Sequence, residues 1–144
     1  MCMYDGDGPS VSSEVTRKAR KVHKCGECGR DIHPGERYSY TWGKWEGDIS
    51  VHKCCAHCEV LRAWLGDVCG GWIFGMVGED FAEHARDYHR FDLWRLVAGQ
   101  NRDWQHQRGP RAGQLMPLPR KPRNLNGRDA AALAQGGAAL PSPA

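Results

Sequence analysis

No stretch of this 144-residue chain approaches the ~18–20 consecutive apolar residues that a membrane helix needs, so no spanning segment is expected. The opening MCMYDGDGPSVSSE has neither a basic start nor an apolar stretch, so no secretory leader is read there. Also missing are an HExxH pair, a phosphate-cradling glycine loop and a Ser-His-Asp grouping. These absences leave little for hydrolytic or nucleotide-driven chemistry, and no small-molecule substrate is expected. There is no internal repeat. Acidic residues are scarce after residue 100, and segments 1–30 and 101–144 carry net charges of +2 and +5, around a middle of −4. Basic flanks suit contact with a polyanion, although solvated basic ends would look the same.

Cysteine is plentiful, with seven in the chain, and without a leader the setting reads as cytoplasmic. Thiols stay reduced there, and paired cysteines point to metal rather than to disulfides. Cys25 and Cys28 are two residues apart, and 26 residues later Cys55 and Cys58 repeat that spacing. Two such pairs are the pattern of a structural zinc site, in which four thiolates close the tetrahedron around one Zn2+. Gly29, directly after the first pair, allows the tight turn of a metal knuckle.

The doubled cysteine in VHKCCAHCEVLRAWL offers a surplus of ligands. Neighbours on an extended chain project oppositely, so Cys54 and Cys55 are not expected to share one ion. Cys55 and Cys58 repeat the first pair, and they are the expected ligands together with Cys25 and Cys28. His57 would be displayed outward, and His52 and Cys54 stay unassigned. Cys69, among glycines and apolar residues, reads as a small buried hydrophobe. Cys2 has no assigned role, and no second metal site is expected.

Around these residues RYSYTW (37–42) alternates aromatics and predicts a strand. DISVH (48–52) predicts the return strand of a hairpin, its register left open because Gly43 and Gly47 both permit turns. Residues 55–65 predict a helix with Val60, Leu61, Trp64 and Leu65 on one face. Residues 66–78 read as a loop, and 79–88 and 92–104 as further helices, the last with Leu93, Trp94, Val97 and Trp104 inward. A knuckle, a hairpin and a helix that opens on the second Cys pair are the treble-clef order. The expected fold is therefore small α+β: a flexible start (1–15), a zinc-bound treble clef (16–66), a helical extension (67–107) and a disordered tail rich in Pro, Arg and Ala (108–144).

HKCGECGRDIHPGERY, the Trp-containing hairpin, CAHCEVLRAWL and EDFAEHARDY together resemble small zinc-finger proteins of phages and prophages, over about residues 18–105. The resemblance supports the four cysteine ligands and implies a bacterial cytoplasm, but it supplies no activity. Two kinds of partner stay open. Arg17, Lys18, Arg20, Lys21, Lys24, Arg30, His57 and Arg62, with exposed indoles, would meet nucleic acid. Yet Lys21, Lys24 and Arg30 would equally balance the negative charge of a zinc–thiolate centre. A host or phage protein is the other partner, engaged through the acidic residues Glu79, Asp80, Glu83 and Asp87 or the apolar knot LMPLP (115–119). A metal-dependent nuclease ranks behind both, because the first strand has no His to serve as a base.

Overall fold

The computed structural model describes residues 2–3 and 8–124. Among the described residues, five strands and three helices follow one another: β1 (Val11–Lys18), β2 (His23–Lys24), β3 (Asp31–Ile32), β4 (Arg37–Trp45), β5 (Asp48–Cys55), α1 (Ala56–Cys69), α2 (Val77–Asp87) and α3 (Phe91–Asn101). The fold is small α+β. β4 is the middle of an antiparallel sheet ordered β1-β4-β5, and β2 and β3 form a separate two-stranded ribbon.

The hairpin register, open in the sequence, is set by Glu46 and Gly47. Trp45 pairs with Asp48, which leaves a two-residue turn with φ of 49° and 90°. Positive φ at both positions is the twist-matched hairpin turn. Gly43 lies inside β4 instead. A Cβ there would come within 2.5 Å of the Trp45 indole, so its lack of a side chain makes room for that ring. Trp45 in turn packs edge-on to His52 and Phe74, and His52 stacks on Phe74 at 4.0 Å. His52 thus belongs to an aromatic cluster. Its pKa is held below the usual imidazole value, first by burial and then by the Arg62 charge.

α1 lies on one face of the sheet. Its N-cap is Cys55, and Gly70 closes it in the left-handed region at φ 79° with its N–H on the Gly66 carbonyl. The helix therefore runs one turn past the expected break at residue 66. Leu61, Trp64 and Leu65 are fully buried, and each leucine contributes about 1.5–3 kcal/mol by leaving water. Trp64 meets Phe81 of α2 edge-on at 5.2 Å. Leu93, Leu96 and Val97 of α3 complete the core. Trp94, expected inward, is exposed, and Leu96 occupies that side of the helix.

Three expectations need correction. The start expected to be flexible to residue 15 instead carries a strand: β1 pairs along its whole length with β4, from Val11 opposite Lys44 to Lys18 opposite Arg37. All eight of its residues are exposed, Val11 and Val15 among them, so no buried apolar alternation marks it in the sequence; backbone hydrogen bonds hold it. The tail expected from residue 108 folds back as far as it is described. Met116 donates its N–H to the Trp104 carbonyl at 2.6 Å, Trp64 Nε1 donates to the Arg123 carbonyl at 3.4 Å, and Lys121 pairs with Asp67 at 2.6 Å. Residues 125–144 lie outside the described residues. Cys69 is not an isolated hydrophobe, since it is disulfide-linked to Cys2.

One buried ion pair joins these layers. Arg62 of α1 donates to Glu27 Oε2 at 3.1 Å and to Ser39 Oγ of β4 at 3.3 Å, with both charged side chains almost fully buried. Glu27 also accepts the N–H groups of Gly75 and Val77, at 3.2 and 3.3 Å, and so caps the start of α2. The Arg62 guanidinium faces the Phe74 ring at 4.9 Å. Removing one partner of such a pair leaves a charge stranded out of water. Glu27→Ala should therefore lower unfolding stability by about 3–5 kcal/mol in urea titrations, well beyond an exposed Glu79→Ala control.

Candidate metal centre

The segment from Cys25 to Arg30 is a tight turn between β2 and β3. The Cys25 N–H bonds the Arg30 carbonyl at 2.9 Å, and Gly29, at φ 78°, returns its N–H to the Cys25 carbonyl at 2.9 Å. This places Cys25 and Cys28 on one side of the turn. Cys55 and Cys58 come from the start of α1, where free N–H groups and the helix dipole favour thiolates. Cys55 is extended, with φ −67° and ψ 155°, and its sulfur accepts the Cys58 N–H at 3.5 Å. The two halves are sewn together by backbone contacts: Cys55 N–H to Cys25 Sγ at 3.3 Å, and Gly26 N–H to the Lys53 carbonyl at 2.7 Å.

Cys25, Cys28, Cys55 and Cys58 present sulfurs that all lie within 4.8 Å of one another. Cys28 and Cys55 are 4.0 Å apart. A tetrahedral ion with metal–sulfur bonds of about 2.3 Å sets its sulfurs roughly 3.8 Å apart, so the cluster is the right size to hold one metal ion. Three of the four are buried, and Cys28 is half-buried. Packing sets the thiols against one another. Cys25 is pulled to low pKa first by hydrogen bonding from Cys28, whereas Cys28 and Cys58 are pushed up first by their contacts with Cys25. Four adjacent thiolates repel, and a cation between them removes the conflict.

Cys54 stands outside this group. It is fully buried, its pairing with Ser39 puts it on the sheet face opposite Cys55, and its thiol donates to the Cys55 carbonyl at 3.4 Å. Contact with Cys25, more than burial, pushes its thiol up.

Two neighbours with no motif in the sequence complete the surroundings. Trp104 Nε1–H points at Cys58 Sγ at 3.4 Å, and Gln100 Nε2 reaches the same sulfur at 3.7 Å. Such donors orient a ligand sulfur and spread its charge. Only the inward pattern of α3 hinted at Trp104.

The sequence-predicted contact residues divide into two groups. Arg30, His57 and Arg62 are buried and occupied, which corrects their expected display at a surface. Arg30 grips Glu36 with both terminal nitrogens, at 2.8 and 3.2 Å. His57 donates from Nε2 to the Met116 carbonyl at 2.6 Å, and its Nδ1 faces Arg30 at 3.5 Å. A neutral ring fits both contacts, and burial holds its pKa down. His57 is therefore the post on which residues 104–118 dock. Arg17, Lys18, Arg20, Lys21 and Lys24 are exposed; Lys24 pairs with Asp31 at 2.6 Å. Arg17, Lys18, Arg20 and Lys21 line a cleft of about 860 Å³ with His23 and Tyr38. Of the acidic residues on α2, Asp80 is buried against His84 rather than displayed.

The chain matches no family model, no curated protein and no solved structure. Among the described residues no helix is long and apolar enough to cross a membrane.

Two substitutions separate the doublet. Cys55→Ser should lose the bound metal and the cooperative unfolding transition, whereas Cys54→Ser should keep the ion at this centre, as read by metal analysis after dialysis. Trp104→Phe should retain the ion with affinity lowered about 10–100-fold in chelator competition.

Proposed function

We propose that the chain is a zinc-stabilised binding module of treble-clef type, of the kind resembled by phage and prophage zinc fingers, and that its open sheet face binds single-stranded nucleic acid. Four thiolates with no oxygen donor suit Zn2+ over Mg2+ or Ca2+. The site is closed on all sides by protein sulfur, which fits a structural ion better than a catalytic one. Such an ion can contribute about 10–16 kcal/mol of apparent binding free energy, a large term for so small a core.

The observation that carries the nucleic-acid reading is the composition of the uncovered face of the sheet. Residues paired across an antiparallel ladder share a face. The register therefore puts Arg17, Tyr40, Trp42, Lys44, Val51 and Lys53 on the side away from α1, with Tyr38 at one end of that face buried against His23. Arg17 lies over the Tyr40 ring at 3.8 Å, and Trp42 and Val51 are exposed. At one end Lys53 Nζ donates to His23 Nδ1 at 3.2 Å, beside the basic cleft of Lys18, Arg20 and Lys21. Flat rings interleaved with cations offer stacking to bases and neutralisation to phosphates. An unpaired strand can splay its bases onto such a platform, which duplex DNA cannot do.

Fluorescence anisotropy of a labelled oligothymidylate tests this reading. Binding should weaken with salt, and Trp42→Ala should cost about 1–3 kcal/mol. Arg17→Ala and Lys53→Ala should each reduce the salt slope by about one. No binding at low salt would overturn the reading. A partner that co-purifies unchanged after nuclease treatment would point instead to a protein docked on the same apolar face, where Val11, Val15 and Ile49 are also exposed.

A further inference from the structure

A second group of metal-binding side chains gathers at the C-terminal end of α1. Cys2, Cys69 and His84 offer ligand atoms that all fall within 4.8 Å of one another. They come from three separate places: the N-terminal segment, the last turn of α1 and the middle of α2. His84 is fully buried, and its ring stands edge-on to Trp64 at 5.3 Å.

The orientation of that ring is fixed. Nδ1 donates to the Asp80 backbone carbonyl at 2.7 Å, one helical turn earlier, and lies 3.2 Å from Asp80 Oδ1. With the proton on Nδ1, the lone pair sits on Nε2 and points at the two sulfurs, 3.4 Å from Cys69 Sγ and 3.7 Å from Cys2 Sγ. In the structure those sulfurs are joined as a disulfide. A disulfide carries no proton, so it gives a buried imidazole lone pair nothing to accept. Once that bond is reduced and the two sulfurs have moved roughly 3.8 Å apart, a cation between the three atoms would satisfy the nitrogen and both thiolates at once. The two nitrogen–sulfur distances bracket the roughly 3.5 Å expected between a His and a Cys on one tetrahedral zinc-class ion. Asp80 is itself 2 % exposed, and among the described residues its Oδ1 has no hydrogen-bond donor, though it lies beside His84 Nδ1 at 3.2 Å. A buried carboxylate behind the far nitrogen of a ligating histidine is the usual support of a metal site. Asp80 Oδ2 also accepts the Met3 N–H at 3.4 Å, which holds the Cys2 segment in place.

We propose that Cys2, Cys69 and His84 bind a second divalent ion of zinc class when the chain is reduced, with Asp80 as the positioning residue for His84. A thiol reductant delivers two electrons and two protons to the Cys2–Cys69 bond and is itself oxidised to its disulfide. The ion then displaces one proton from each thiol and takes the Nε2 lone pair. Three protein ligands leave the fourth position to water or another small donor. The ion clasps the N-terminal segment to α1 and α2. This site is independent of the four-sulfur centre and of the nucleic-acid reading.

The test is metal content of the full chain, reduced anaerobically with a phosphine, loaded with zinc and dialysed. The wild-type protein should hold two zinc ions per chain, and Cys2→Ser and His84→Ala one each. Cobalt loading should give the wild type a sulfur-to-metal absorption band that exceeds the Cys2→Ser band. Cys2 is only partly buried, so Cys2→Ser keeps the comparison valid if His84→Ala fails to fold. One ion or none in the reduced wild-type chain, or two retained in Cys2→Ser, would overturn the proposal. Loss of the second ion with the first retained would leave the four-sulfur centre standing.

Discussion

Four sulfurs held within a few ångströms of one another form the constraint on which the rest of this fold depends. Two come from a six-residue turn and two from the first turn of a helix, with 26 residues between the pairs. Bringing them together fixes where the long hairpin must leave and return, and so sets the sheet against α1. The cluster is unfavourable as bare thiolates and favourable around a cation. With an ion in this cluster, ion binding and folding of this part of the chain would be one event.

The Glu27–Arg62 pair extends that constraint outward. Glu27 sits between the two knuckle cysteines, so its carboxylate is aimed by the same turn that aims the sulfurs. From there it reaches α1 through Arg62 and the start of α2 through two backbone N–H groups. The knuckle thus positions both the helix on the sheet and the helices behind it. Trp104 and Gln100 add a contact from the other direction by pointing their N–H groups at Cys58. The candidate metal centre is consequently lined by residues from α1, the knuckle and the end of α3, although only the first two carry its sulfurs.

Features that rest on local spacing were legible in the sequence. The two Cys-x-x-Cys pairs, the aromatic alternation of β4 and the Leu61, Trp64, Leu65 face of α1 all repeat at a period that chain geometry imposes. The opposite projection of Cys54 and Cys55 follows from the same rule. What stayed hidden depends on distant partners. β1 has no apolar alternation because both of its faces are open to water, and only its backbone ladder to β4 defines it. Arg30, His57 and Arg62 look like surface cations until Glu36, the Met116 carbonyl and Glu27 are seen to meet them. Residues 108–124 resemble a solvated tail in composition, but they are pinned largely through backbone carbonyls and N–H groups, which leave no compositional trace.

β1 also forms one border of the sheet, since β4 flanks it on one side only. An extended border strand exposes a row of backbone donors and acceptors, and such a row templates the addition of further strands. No helix or loop need cover it here, because the strand carries its own deterrent. Glu14, Arg17 and Lys18 interrupt it with charge of both signs. An incoming strand must present matching charges in register or leave these ones opposed. Growth of the sheet from one molecule to the next is therefore limited by charge rather than by concealment.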